Sequence, residues 1–318
     1  MDREITIAHL TDPHLDLGAP RGRSLLGKRA LSRLNWHLKR RRIQRADLCD
    51  AIVADIHRHA PAAIAMTGDL VNFALEEEFR RGRDWLERLG PAGRVGVVPG
   101  NHEALAPGMV RALHAAWGPY LAGDDGTPGF PWRRDLGPVS LVGVSTAAAS
   151  VPFLATGMVG SGQLDRLDAL LAALAAEGRL AVVLIHHPPT DITVPRKALI
   201  DRKAVRAILA RHGAGLVLHG HTHRAELSWI DGRTGRIPVL GAPSASCEPG
   251  PDRDGAAWRL LRLSRQGTDW RLRMEERAAT PAGIVAATPL DFSLPSPAGL
   301  VSGGEPARLP PEPAGGRR

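Results

Sequence analysis

The sequence predicts an α/β layered fold, and three observations carry that expectation. Short β-branched apolar runs alternate with longer amphipathic stretches along most of the chain. Histidine, aspartate and asparagine cluster directly after five of those apolar runs. Past Glu226 the rhythm changes to strand-like pieces divided by turn residues, with no long helix between them.

The expected strands, in order, are Ile5–Leu10, Ala63–Thr67, Arg94–Val98, Val139–Val144, Leu180–Ile185 and Gly215–Leu218. Between them the periodicity predicts helices over Asp47–His59, Leu75–Leu89, Met109–Trp117, Gly162–Glu177 and Asp201–Arg211. Asp165, Leu167, Leu170, Leu171 and Leu174 show the helical spacing well. The later pieces, Leu227–Ile230, Ile237–Leu240, Ala257–Leu263 and Asp269–Arg273, read as antiparallel strands added to the same sheet system. Asp231-Gly232 and Gln266-Gly267 supply the turns between them. From Pro281 onward come eight prolines, balanced charges and no apolar period. The expected organisation is therefore one domain over 1–279 and a disordered Pro/Gly-rich tail over 280–318.

Composition excludes several classes. No run approaches the roughly 18 apolar residues that a membrane span requires. Cys49 and Cys247 are the only cysteines, too few for a disulfide framework or a thiolate metal cluster. With a start, Met1-Asp2-Arg3-Glu4, that lacks a secretory pattern, the expected location is the cytoplasm. The formal net charge of +8 is concentrated in one place. Between Gly18 and Ala46 lie ten basic residues and no acidic one, so the remainder is close to neutral. Leu25, Leu26, Leu31, Leu34, Trp36 and Leu38 interleave with these bases. Such a segment suits a solvated helical excursion, a lid that steers phosphate esters, or an anionic membrane surface on the inner face. Nucleic-acid backbone contact is the weakest use, because charge elsewhere is balanced.

The chemistry sits after the strands. Thr11-Asp12-Pro13-His14 follows the first, Gly68-Asp69 the second and Pro99-Gly100-Asn101-His102-Glu103 the third. His186-His187-Pro188-Pro189 follows the fifth and His219-Gly220-His221-Thr222-His223 the sixth. Ligands in open α/β sheets bind at the carboxyl ends of strands, so these clusters are expected at one rim. Imidazole and carboxylate without thiols suit Zn, Mn or Fe. Asp12, His14, Asp69, Asn101, His186, His221 and His223 are the candidate ligands, with Asp69 expected to bridge two ions through its two oxygens. Two ions about 4 Å apart clamp the oxygens of an in-line displacement at phosphorus and supply hydroxide near neutral pH. Of the other histidines, His9, His37, His57, His59, His114 and His212 read as core or surface residues, and His187 and His219 as supports beside ligands. Glu103 reads as an orienting or helix N-terminal residue, not a ligand.

The ordered set Asp-x-His, Gly-Asp, Gly-Asn-His-Glu, His and Gly-His-x-His resembles the calcineurin-like metallophosphoesterase superfamily over residues 5 to 223. The resemblance implies a four-layer α/β/β/α sandwich with a dinuclear site at the strand ends. It implies one ion held by Asp12, His14, Asp69 and His223 and another by Asp69, Asn101, His186 and His221, both divalent or of mixed valence. Asn101 and His102 would contact the phosphate, and His102 would assist the leaving oxygen. The stretch after Gly68-Asp69 has no arginine of the kind that grips a phosphomonoester in the serine/threonine phosphatases. Gly68-Asp69-Leu70 and His186-His187-Pro188-Pro189 look more like the bacterial cyclic-nucleotide and glycerophosphodiester phosphodiesterases. Glu103 stands where that branch often has Asp, and the 18–46 insert is longer than its members imply. The expected activity is phosphodiester hydrolysis, with a lipid or nucleotide-lipid phosphoesterase as the alternative. A nuclease and a non-catalytic scaffold rank below both, and nothing in the sequence sets an oligomeric state.

Overall fold

Alternate residues of the first strand face two different cores. In β1 (Ile5–Leu10), Ile5 and Ile7 join one buried cluster while Ala8 and Leu10 join another, as the pleat requires. In β2 (Ala63–Met66), Ala63 and Ala65 lie on one side and Ile64 and Met66 on the other. Strands buried on both faces read as unbroken apolar runs, which is why they were legible. The computed structural model describes residues 4–17, 28–126, 129–151 and 153–297.

The first sheet runs β12-β11-β10-β1-β2-β3, with β13 also paired to β11. Its further members are β3 (Val95–Val97), β10 (Ala257–Gln266), β11 (Asp269–Thr280), β12 (Gly283–Ala286) and β13 (Leu290–Leu294). The second sheet runs β4-β5-β6-β7-β9-β8. It comprises β4 (Trp132–Leu136), β5 (Val139–Val144), β6 (Leu180–Ile185), β7 (Leu216–His219), β8 (Glu226–Gly232) and β9 (Gly235–Gly241). β1, β2 and β3 are parallel neighbours, as are β5, β6 and β7.

Ile7, Ala65, Val182, Leu218 and Leu261, drawn from both sheets, share the core between them. Helices Ala46–His59, Glu76–Leu89 and Met109–Trp117 cover the outer face of the first sheet. Helices Ser161–Ala176 and Arg202–His212 cover the second. The layers are α/β/β/α, as expected.

Three expectations need correction. The domain does not end at 279. β11 continues to Thr280, β12 pairs with Arg277–Thr280 and β13 with Trp270–Met274. Leu294 is buried in the inter-sheet core, and Pro295 and Pro297 stand beyond the last strand, where no ladder hydrogen bond is needed. Residues 298–318 of the expected tail lie outside the described residues. Second, Ile237–Leu240 is not purely antiparallel: β9 pairs parallel with β7 and antiparallel with β8. Third, the β8–β9 turn falls at Arg233-Thr234, because register pairs Gly232 with Gly235.

The basic insert is structured where it is described; Arg21, Arg23, Leu25 and Leu26 lie outside the described residues. A helix over Lys28–Asn35 passes through a π-helical turn, Trp36–Arg40, into a short turn, Arg41–Ile43. Arg29 donates to the carbonyls of Phe73 and Ala74 at 2.9 and 2.6 Å. Trp36 is buried edge-on against Phe73. The insert is thus fastened to the loop that follows Asp69.

Candidate metal centre

All the candidate ligands come from the carboxyl ends of adjacent parallel strands. Asp12 and His14 follow β1, Asp69 follows β2, Asn101 and His102 follow β3, His186 follows β6, and His221 and His223 follow β7. The structure brings all of them together at the seam of the two sheets. Backbone bonds join the turns within each sheet, Asp12 donating its amide to the Gly68 carbonyl at 3.0 Å, His14 to Asp69 at 3.1 Å and Gly220 to His186 at 3.1 Å, while across the seam Ala245 donates to the Thr11 carbonyl at 2.9 Å. Glycine is required where these turns meet. A Cβ on Gly100 would lie 2.3 Å from Asp69 Oδ1 and 2.7 Å from His186 Cε1.

Asp12, His14, Asp69, His221 and His223 all have positive φ, between 41° and 70°. They are five of the eight non-glycine residues in that region among those described. Such conformations concentrate where function fixes the backbone.

Each ring is oriented by what its other nitrogen touches. His186 Nδ1 donates to the Thr67 carbonyl at 2.7 Å, which turns Nε2 toward Asp69 Oδ2 at 3.4 Å and Asn101 Oδ1 at 3.3 Å. His221 Nε2 donates to the Lys197 carbonyl at 2.9 Å, leaving Nδ1 for ligation. His102 Nδ1 donates to the Asn72 carbonyl at 2.8 Å, so Nε2 is its remaining nitrogen.

The donor set fits metal. His14 Nε2 and His223 Nε2 approach to 3.2 Å. Both face Asp12 Oδ1, at 3.7 and 3.1 Å, and that buried oxygen has no hydrogen-bond partner. Crowded lone pairs around an unpartnered carboxylate oxygen are what a cation resolves. Groupings with ligand atoms within 4.8 Å of one another include Asp12–His14–His223 and Asp12–Asp69–His186.

Asp69 Oδ1 accepts the His102 amide at 2.8 Å, and Oδ2 stands between His14 Nε2, at 3.8 Å, and His186 Nε2.

Charge inside the site is polarised. Burial alone would raise the Asp69 carboxyl, but the histidines beside it, His186 first, hold it well below the usual carboxylate range. Burial opposes protonation of His186, yet the Asp69 charge pushes it up to about 10. For His187, burial and then the His186 charge press it down to about 3. Both its nitrogens are engaged, with Thr146 Oγ1 at 2.7 Å and the Ala155 carbonyl at 3.1 Å, so it supports the site from behind. His219, lowered to about 4 mainly by burial, donates from Nδ1 to the Gly220 carbonyl.

Glu103 carries more than its expected orienting role. It is fully buried, and its Oε1 accepts the amides of Leu70 and Val71 at 2.7 and 3.2 Å. Its Oε2 accepts those of Asp69 and Gly100 at 3.0 and 2.7 Å. One carboxylate therefore holds both turns that present Asp69 and Asn101.

A cavity of about 310 Å³ opens over Asp69, Asn101, His102, His221 and His223. Its lining includes Lys197, Arg224 and Arg253, which the sequence reading missed because no strand or periodic helix carries them. Asn72 was also missed. Its side-chain amide donates to the carbonyls of His14 and Leu15 while its own carbonyl holds His102.

Comparison with known proteins adds the following. A family model described as calcineurin-like phosphoesterase matches residues 5–225. A "probable cyclic nucleotide phosphodiesterase" of a Synechococcus species is 28% identical over 229 residues, covering 70% of this chain and 79% of that protein. A dimetal phosphatase from Danio rerio superposes with a TM-score of 0.53 at 16% identity, covering 89% of this chain and 98% of its own. A purple acid phosphatase from yellow lupin (Lupinus luteus) gives a TM-score of 0.58 at 12% identity, over 92% of this chain and 54% of its own. At those identities the two structures show the shared fold.

Proposed function

Because the chain belongs to the calcineurin-like phosphoesterase family, and is thereby a hydrolase of phosphoric esters, we propose that its reaction is cleavage of a phosphodiester. The carrying observation is the position of Asp69 Oδ2 between His14 and His186, opposite the unpartnered Asp12 Oδ1. That placement supports two ligand sets that meet at Asp69. Two ions (Mn, Fe or Zn), one with Asp12, His14, Asp69 and His223 and one with Asp69, Asn101, His186 and His221, would supply Lewis acidity and a water acidified toward neutrality.

The chain's own residues do the rest. Asn101 and His102 line the cavity, where they would meet the phosphoryl group. The Asn72 carbonyl fixes the His102 ring, and the imidazolium form donates from Nε2 to the leaving oxygen. Lys197, Arg224 and Arg253 draw an anionic ester to the mouth. Preference for a diester is supported by the cyclic-nucleotide relative and by Leu70-Val71-Asn72-Phe73 after Asp69, where no arginine is present to grip a monoester.

A cytoplasmic location is part of this reading, supported by two cysteines that are both free and buried. No helix among the described residues is long and apolar enough to cross a membrane. Association of the 18–46 insert with an anionic bilayer is supported by exposed Arg41 and Arg42 beside exposed Leu38. Co-sedimentation with anionic liposomes that persists in an Arg41→Glu/Arg42→Glu variant would remove it.

The test of the main reading is turnover by the manganese-loaded protein of an aryl phosphodiester beside its monoester. A diester preference that Asp69→Asn abolishes, with loss of bound metal, is the expected result. Monoester preference, or near-normal turnover by the variant, overturns it.

A further inference from the structure

Two cavities with different lining residues meet at the centre. The first, described above, is edged by Arg224, Arg253 and Asp252. The second, of about 520 Å³, lies between the insert and the 153–155 loop. Asn101, His102, Ala155 and Lys197 line both. A molecule with its phosphorus over the candidate ligands can therefore extend one substituent each way without crossing solvent.

The second cavity is walled by apolar side chains that no described residue buries. Leu34, Leu38 and Phe153 are 57%, 64% and 79% exposed. Apolar side chains grouped in a concave site mark a place where an apolar partner is buried. Cations line it as well: Lys28 and Arg196, with Lys197 common to both cavities. Lys28 donates to Ser150 Oγ at 2.5 Å, and Arg29 ties its helix to the Phe73 and Ala74 carbonyls, so the wall is fixed. The aromatic rings offer no paired open faces for a flat base, since Trp36 and Phe73 are buried against each other. An aliphatic chain leaving an anionic phosphate matches both the lining and the charge.

We propose that the substrate is an amphiphilic phosphodiester whose aliphatic chain occupies the groove walled by Leu34, Leu38 and Phe153, with its polar substituent in the opposite cavity. The proposal rests on the phosphodiesterase reading above.

The test uses the metal-loaded full chain, without vesicles and below micellar concentrations, on methyl and octyl p-nitrophenyl phosphodiesters, which share one leaving group. The ratio of kcat/KM, octyl over methyl, is expected to reach about tenfold, well under the limit for full burial of the added methylenes. In a Leu34→Glu/Leu38→Glu/Phe153→Glu variant, altered only at exposed positions, the ratio falls to about one. A wild-type ratio near one, or a ratio the variant keeps, overturns the groove while leaving diester hydrolysis standing. A chain preference seen only after anionic vesicles are added assigns these residues to a membrane surface and also overturns it. Calorimetric binding of octyl against methyl phosphate separates the two readings. Selective octyl binding that the variant loses, with no diester hydrolysed, sinks the phosphodiesterase reading and keeps the groove. Equal binding of both sinks the groove.

Discussion

Replacing Glu103 with glutamine tests how the centre is held. The carboxylate accepts four buried backbone amides, two on each oxygen. A glutamine keeps one acceptor oxygen and turns an NH2 group toward the other pair. Two amides are then left without partners, whichever way the side chain sits. At about 1–3 kcal/mol for each buried orphan donor, the loss is about 2–6 kcal/mol. That is a large part of the 5–15 kcal/mol typical of a whole domain. Burial, then the nearby Asp69 charge, raises the Glu103 carboxyl to about 7, so the comparison belongs at pH 8, where it is ionised. Urea unfolding of the metal-free protein, followed by circular dichroism, reads the loss as a lower midpoint. Calorimetric titration with Mn should show weakened binding as well, because the same amides place Asp69 and Asn101. A variant within about 0.5 kcal/mol of the wild type, the range of inert surface changes, would refute the idea that this carboxylate holds the two turns.

Other perturbations address single contacts. His102→Ala should keep its metal content by elemental analysis and slow turnover by about 10²-fold or more, most on esters with poor leaving groups; metal loss would contradict the assigned role. Gly100→Ala forces a Cβ to 2.3 Å from Asp69 Oδ1, so metal affinity should fall, and unchanged calorimetric binding would show that the turn can shift. Glu78 is raised to about 7, chiefly by burial and against three backbone amides that favour its ionised form. The folded protein thus keeps a proton that the unfolded chain releases near pH 4.3, about 3 kcal/mol of stability present at low pH and lost as pH climbs toward 7. Thermal unfolding of metal-free Glu78→Gln should show a shallower decline between pH 5 and 7; an unchanged slope rejects this.

Legibility in the sequence followed burial. Strands such as Leu180–Ile185 announce themselves because both faces are covered, and each delivers its ligands at its carboxyl end. Edge pieces do not. β4 carries Arg133, Arg134 and Asp135, and Arg134 is buried only because it donates to the carbonyls of Val95, Pro119 and Ala122, partners distant in sequence. β12 and β13 are short, largely exposed and flanked by proline, so their pattern resembles a tail. Within the site, residue types and order could be read directly, but rotamers could not. The orientation of the Asp69 carboxylate depends on the His102 amide, a tertiary contact without a sequence signature. The apolar groove likewise needs the insert and the 153–155 loop to meet across the fold.

The left-handed residues of the rim bear on how this chain can be changed. Holding a non-glycine residue in such a conformation costs about 1–3 kcal/mol, and five of them are candidate ligands. Glycine at Asp12, His14, Asp69, His221 or His223 relieves that strain, so a search for thermostability guided by the folded backbone alone would favour replacing them. Consensus or computational stabilisation of this protein therefore has to hold these five positions fixed, because the substitutions that relax the scaffold most readily are also those that erase its chemistry.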